Sequence, residues 1–177
     1  MRTPAQGLEH SFAPLARADA TRLILGSMPG KASLTARQYY AHPRNAFWPL
    51  IEQILAIPAT LPYAQRCEAL LLHQVAVWDV LQSCMRSGSL DADIEPASVV
   101  PNDFVAFFAA HPRITTVYFN GAAAENLFRR HVWHRLPASM QAITRHRLPS
   151  TSPANAAVPR HFKSSQWQQI RATGSRQ

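Results

Sequence analysis

Short apolar runs in this chain end, one after another, on residues able to bind or react. The run Thr21–Gly26 opens onto Gly26-Ser27-Met28-Pro29-Gly30-Lys31. A phosphate-cradling P-loop needs four residues between its glycines, then Lys and Ser or Thr. Here three residues separate Gly26 from Gly30, and Ala32 stands where the metal-binding hydroxyl belongs. That spacing excludes nucleoside triphosphate hydrolysis. It leaves either a tight proline-containing turn or a loop whose backbone N–H groups approach a ligand closely. The loop continues through Gln38-Tyr39-Tyr40-Ala41-His42-Pro43-Arg44-Asn45, where aromatic, cation and amide stand together. Asn45 precedes a helix, so taken alone it reads as an N-cap. Tyr40 reads equally as core or as a stacking surface.

The run Val75–Val80 carries Trp78-Asp79 at its end, and this carboxylate is either a general base or a cap for the Ser83-Cys84 turn. Asn120-Gly121 closes the run Thr115–Asn120 and reads more readily as a turn and helix start than as a ligand. In Pro149-Ser150-Thr151-Ser152-Pro153-Ala154-Asn155, short hydroxyls are locked between prolines. This is a solvated loop or a rigid clamp for backbone phosphates. His42, His111 and His146 are scattered without metal-ligand spacing, so no metal is expected, and no Gly-x-Ser-x-Gly elbow supports acyl transfer.

The elements that would hold these groups follow from periodicity. Strands are expected at Thr21–Gly26, Val75–Val80, Thr115–Asn120 and Ala142–Leu148. Between them come helices over Ala46–Ala56, with Phe47, Leu50, Ile51, Ile54 and Leu55 on one face, and over Tyr63–His73, packing Leu70 and Leu71. Further helices run from Pro101 to His111 and from Ala122 to His131. A last one, Phe162–Arg171, is expected to dock Phe162, Trp167 and Ile170. Ser83–Ala97 reads as loop, and Met1–Ala20 as an uninformative N-terminal extension. Alternating strands and helices imply a single domain over 1–177. Its architecture is a three-layer α/β/α sandwich around a short four-stranded, mainly parallel sheet, with ligands beyond the strands' carboxyl ends.

Composition narrows the partners. Of 177 residues, 47% are apolar and 16% charged, which excludes wholesale disorder. Lys and Arg total 18 against 10 Asp and Glu, a net charge of +8 that suits a polyanion, above all nucleic acid. No apolar run is long enough to span a membrane. Glu9, His10, Pro14, Arg17 and Asp19 interrupt the N-terminal apolar residues, so no signal peptide is expected. Cys67 and Cys84 are too few for a thiolate cluster and too far apart for a redox pair; buried thiols in a reducing cytoplasm are expected.

Two separated segments carry a family resemblance. Leu25-Gly26-Ser27-Met28-Pro29-Gly30 with Tyr40-Ala41-His42-Pro43-Arg44-Asn45-Ala46-Phe47-Trp48 resembles the first motif region of the uracil-DNA glycosylase superfamily. Leu148–Asn155 resembles its minor-groove loop. Trp78-Asp79-Val80-Leu81-Gln82-Ser83-Cys84 and Gly88-Ser89-Leu90-Asp91 are similar to the hypoxanthine-DNA (deoxyinosine) glycosylase branch, and Phe119-Asn120-Gly121 to a strand end of the mismatch-specific branch. The match runs in order from Arg22 to Trp167.

The resemblance implies a base pocket of Gly26, Ser27, Met28 and Pro29, joined by Asn120, with Tyr40 stacked on the flipped base and Trp78 and Asp79 reading its polar edge. It implies that Ser150 holds a phosphate, that Ser152–Asn155 wedges into the minor groove, and that Lys31, Ser33, Arg44, Thr151 and Arg160 also meet DNA. Many relatives place Asn or Asp where this chain has Met28, and a thioether neither donates a hydrogen bond nor serves as a base. The hypoxanthine branch implies Asn45 in its stead as the water-orienting residue, with Asp79 in reserve. The implied enzyme is a monomeric, cofactor-free, monofunctional glycosylase of base excision repair. It acts on double-stranded DNA containing deaminated bases, hypoxanthine first. Lys31 and Lys163, the only lysines, are not evident amine nucleophiles. The alternatives are a uracil or G/T(U) mismatch enzyme and a non-catalytic nucleic-acid-binding protein on the same fold.

Overall fold

Strand alternation decides the layers. In the computed structural model, which describes residues 7–171, β1 (Leu8–His10) is followed by β2 (Arg22–Gly26), whose Leu23 and Leu25 face one side of a sheet and Ile24 the other. After α1 (Lys31–Ala36), α2 (Phe47–Leu55) and α3 (Tyr63–Leu72), β3 (Val75–Asp79) splits the same way, Ala76 and Trp78 against Val75 and Val77. Successive side chains on a strand point to opposite faces, so a strand aliphatic on both parities must be covered on both. β4 (Leu81–Met85), β5 (Val100–Pro101) and α4 (Phe104–Ala110) lead to β6 (Thr116–Asn120), then α5 (Ala122–His131), α6 (Ala138–Gln141), β7 (Thr144–Leu148) and α7 (Arg160–Trp167).

The main sheet has the order β3-β2-β6-β7 and every pairing in it is parallel. α4 and α5 cover one face through Phe104, Phe107, Phe108, Ala124 and Phe128. α2, α3 and Trp167 of α7 cover the other, with Phe47, Leu50, Ile51 and Leu70 fully buried. This is the expected three-layer sandwich. Cys67 and Cys84 are free, buried thiols.

Three expectations are corrected. Ser83–Ala97 is not all loop: Ser83 to Met85 belong to β4, the middle strand of a small antiparallel sheet, β1-β4-β5. Ser83 and Cys84 are buried, and a strand that buries a hydroxyl has no apolar alternation to reveal it. The N-terminal extension supplies β1, and Leu15 bridges Val77 at the edge of the main sheet, so residues 8–15 are part of the fold; Met1 to Gln6 lie outside the described residues. The last helix starts at Arg160 and gives way to a 3₁₀ turn, Gln168–Ile170. It buries Trp167 and Ile170 but leaves Phe162 in solvent.

Candidate active site

The carboxyl ends of the parallel strands converge on one cavity of about 240 Å³. β2 delivers Gly26 and the turn Ser27–Gly30, β3 delivers Asp79, β6 delivers Asn120, and β7 leads into Ser150–Ala154. Tyr40, His42 and Asn45 close one wall, while Ser89, Leu90 and Asp91 arch over the opening.

The floor is buried and polar. Asp79 is 3% exposed and its Oδ2 has no hydrogen-bond partner. Burial pushes the Asp79 carboxyl up to about 7; the Asp91 charge adds to that rise and the Arg86 guanidinium opposes it. Above it sits Tyr40, held at φ 56°, a left-handed conformation that non-glycine residues rarely adopt. Its hydroxyl is also buried without a partner, and burial with the nearby Asp79 charge pushes its pKa up. The Tyr40 ring stacks on Phe47, centroids 4.0 Å apart and planes within 23°. Gly26 allows both groups in: a Cβ there would lie 2.5 Å from Asp79 Oδ1 and 3.2 Å from the Tyr40 hydroxyl.

Asn45 lines the wall and does double duty. Its Oδ1 accepts from the Phe47 N–H at 2.9 Å, capping a first-turn donor of α2 from one residue before the N-cap, which is Ala46 and not Asn45 as its position suggests. A carbonyl oxygen has a second lone pair, and the carboxamide NH2 remains a donor, so capping leaves it able to hold a water.

The strand-four loop is satisfied from within. Asn120 grips Thr151 at two points, its Nδ2 donating to Thr151 Oγ1 and its Oδ1 accepting from the Thr151 N–H, both at 2.9 Å. The Ser152 N–H donates to Ser150 Oγ, Ser152 Oγ accepts from the Ala154 N–H, and Asn155 Nδ2 donates to the Ser150 carbonyl. From α7, buried Lys163 donates to the Asn155 carbonyl at 2.8 Å and Trp167 Nε1 to that of Pro149 at 2.9 Å.

The structure therefore brings Gly26, Ser27, Met28, Pro29, Lys31, Ser33, Tyr40, Asn45, Asp79, Asn120 and Ser150–Ser152 to one cavity. Other expectations need correction. Trp78 is not in the pocket: it packs on Phe104 and Phe107 and donates to the Phe12 carbonyl, because it faces the opposite side of β3 from Asp79. Asn120 lines the cavity as expected and also anchors the loop, since one Nδ2 hydrogen and one Oδ1 lone pair go to Thr151 while the second Nδ2 hydrogen stays available. Thr151, 1% exposed, and Ser33, 6% exposed with its Oγ accepting from the Ala41 N–H, are too buried to meet a backbone phosphate. Arg44 and Arg160 are exposed outside the cavity, and Asn155 lies beside it.

Two partners escaped the sequence. Ser27 Oγ donates to Asp91, a contact across 64 residues that only folding creates. Arg86, its side chain wholly buried, donates to the Pro29 carbonyl at 2.6 Å and through Nε to Glu9 Oε2 at 2.8 Å. It ties the β2 turn to β1. The motif Gly88-Ser89-Leu90-Asp91 was the available signal for the first; nothing in the sequence marks Arg86.

Comparison with known proteins agrees with this geometry. No protein-family model matches the chain. A curated hypoxanthine DNA glycosylase of Methanosarcina barkeri is 34% identical over 114 residues, covering 64% of this chain and 71% of that protein. One of Methanosarcina acetivorans, with the same name, is 30% identical over 149 residues, 84% and 88% of the two chains. A solution NMR structure from Methanosarcina acetivorans, provisionally described as a uracil DNA glycosylase, superposes with a TM-score of 0.75 at 27% identity, over 93% of this chain and 96% of that one. A strand-end cavity built around Asp79, Tyr40 and Asn45 thus sits on a chain that belongs to the hypoxanthine-DNA glycosylase branch of the uracil-DNA glycosylase superfamily, and its reaction is that of a DNA glycosylase.

Proposed function

We propose that the enzyme excises deaminated bases from duplex DNA, hypoxanthine first, acting as a monomer and without a cofactor. The observation that carries this reading is the Asp79 carboxyl, buried and unpartnered on the cavity floor with a pKa pushed up to about 7. Deamination replaces an amino group and a ring acceptor with a carbonyl and a ring N–H. A neutral carboxyl offers a donor and an acceptor side by side, which is the complement of that N–H/C=O edge. Its O–H can meet hypoxanthine O6 and its carbonyl can accept from N1–H. The Tyr40 face, already braced on Phe47, supports stacking of the extruded base.

The chemistry asks little of a base catalyst. The glycosidic bond breaks first, giving an oxocarbenium-like sugar and a departing base anion, as in other glycoside hydrolyses. Backbone N–H groups of the Ser27–Gly30 turn, lining the cavity, suit stabilisation of that anion. Water held by Asn45 then adds to C1′ and loses its proton. Ser150 and Ser152, whose hydroxyl oxygens already accept within the loop, keep their O–H groups to donate to phosphates. Exposed Lys31 and Arg44 supply charge at the rim.

Duplexes carrying one inosine or one uracil, treated with the enzyme and then alkali, test this. Strand breaks at inosine are expected, falling off as pH rises above about 7, where Asp79 loses the proton it donates. Breaks at uracil alone would replace hypoxanthine with the reading that the NMR neighbour's name favours. Asn45→Ala is expected to slow single-turnover excision by about 100-fold with DNA affinity nearly intact; unchanged turnover would reject its role.

A further inference from the structure

Across the Pro149–Asn155 loop from the base cavity runs a second depression of about 660 Å³. It shares Leu90, Asp91, Ser150 and Ser152 with the cavity and continues to Phe162 on α7. Phe162, which periodicity assigns to the core, is 49% exposed, and Leu90 is 51% exposed. The other exposed large apolar side chains, Leu8, Leu72, Val100 and Val105, do not line this trough. Two large apolar surfaces thus stand in water at the edge of the active site.

Their setting identifies the occupant. Arg160, exposed, opens α7 two residues before Phe162, and exposed Arg147, whose Nε pairs with Glu125 Oε2 at 3.3 Å, lines the trough. The carboxylate at that rim, Asp91, is already held by the Ser27 hydroxyl. Cations around exposed apolar and aromatic faces match a polyanion that also presents flat π surfaces, which is nucleic acid.

We propose that this trough receives the DNA flanking the extruded nucleotide, with a neighbouring base stacked on the Phe162 ring and Leu90 packed against the opened step. The inference rests on the base cavity being the pocket proposed above. Stacking there offsets part of the few kcal/mol spent on unstacking the target, and it makes Phe162 a DNA-positioning residue that does not touch the reacting atoms.

Full-length wild type, Phe162→Ala, Phe162→Trp and Leu90→Ala are compared on duplexes with 2-aminopurine beside an inosine or beside a stable abasic analogue. Phe162→Ala is expected to weaken binding to either duplex by about 5- to 100-fold. The 2-aminopurine signal should change with it, while the excision rate at saturating DNA stays within about threefold. Phe162→Trp should restore affinity, and its indole fluorescence should be quenched by DNA. Leu90→Ala should show a smaller loss of the same kind, and melting temperatures should hold because both side chains are exposed. Wild-type affinity and 2-aminopurine signal in Phe162→Ala would overturn the proposal, as would a fall in saturating rate with binding intact. Wild type that cleaves neither inosine nor uracil would defeat the function reading instead, and binding to the abasic duplex would still decide the role of Phe162.

Discussion

The floor of the cavity and the loop beside it obey opposite rules. On the floor, Asp79 Oδ2 and the Tyr40 hydroxyl are buried with no partner, Tyr40 holds a left-handed backbone, and Gly26 is kept bare so that both fit. In the loop Pro149–Asn155, side chains and carbonyls are bonded to one another, to Asn120 and to α7. A buried unmatched polar group costs about 1–3 kcal/mol. On the floor, the proposed function gives such groups a use, because an entering base edge would supply the missing partner. The loop shows the other use of polarity, in which internal bonds fix a shape before DNA arrives. One region is left incomplete, as the proposed base pocket requires; the other is finished from within.

The sharpest way to break the contrast is to complete the floor. Gly26→Ala drives a methyl into Asp79 and Tyr40, and excision is expected to fall by about 100-fold or more, since misplacement on the scale of an ångström suffices; single-turnover rates read this directly. Next is the loop. Asn120→Ala strands the buried Thr151 N–H and should cost about 1–3 kcal/mol in denaturant unfolding. Asn120→Asp, which keeps the acceptor for that N–H, should recover part of the loss.

Asp79→Asn sharpens the contrast through pH. The folded-state pKa of Asp79 lies above its unfolded value, so the folded state holds more protons between about pH 4 and 7 and stability declines as pH rises through that window. Removing the charge should therefore stabilise the protein by a few kcal/mol, at most about 4, at pH 8 and leave it unchanged near pH 3, measured by melting at both. The smallest effect is expected from Lys163→Met, which releases the Asn155 carbonyl: about 1 kcal/mol of stability and a few-fold weaker DNA binding.

Much of this was legible in the residues, and the failures have physical causes. Runs such as Leu23-Ile24-Leu25 and Val75-Ala76-Val77 announce doubly covered strands, and ligand position follows from their direction. Asp79, Tyr40 and Asn45 are legible because Asp79 closes a strand and the other two share the loop that leads from the first strand's end to a helix start. Trp78 was misplaced although strand parity already opposes it to Asp79. Asn120 and Thr151 look like ligand groups in sequence because their mutual bonds span 31 residues. β1, three residues long, carries too little pattern to declare itself, and Arg86 gives no sign that it will be buried.

That pairing of Glu9 with the buried Arg86 bears on how the enzyme comes into being. The two residues are 77 positions apart, and the Arg86 contact to Pro29 spans a further 57. Ring closures of this length are late and slow events. The first active-site turn gains its Arg86 brace only when the segment after β4 is in place. The brace on the first active-site turn therefore depends on contacts distant in the chain.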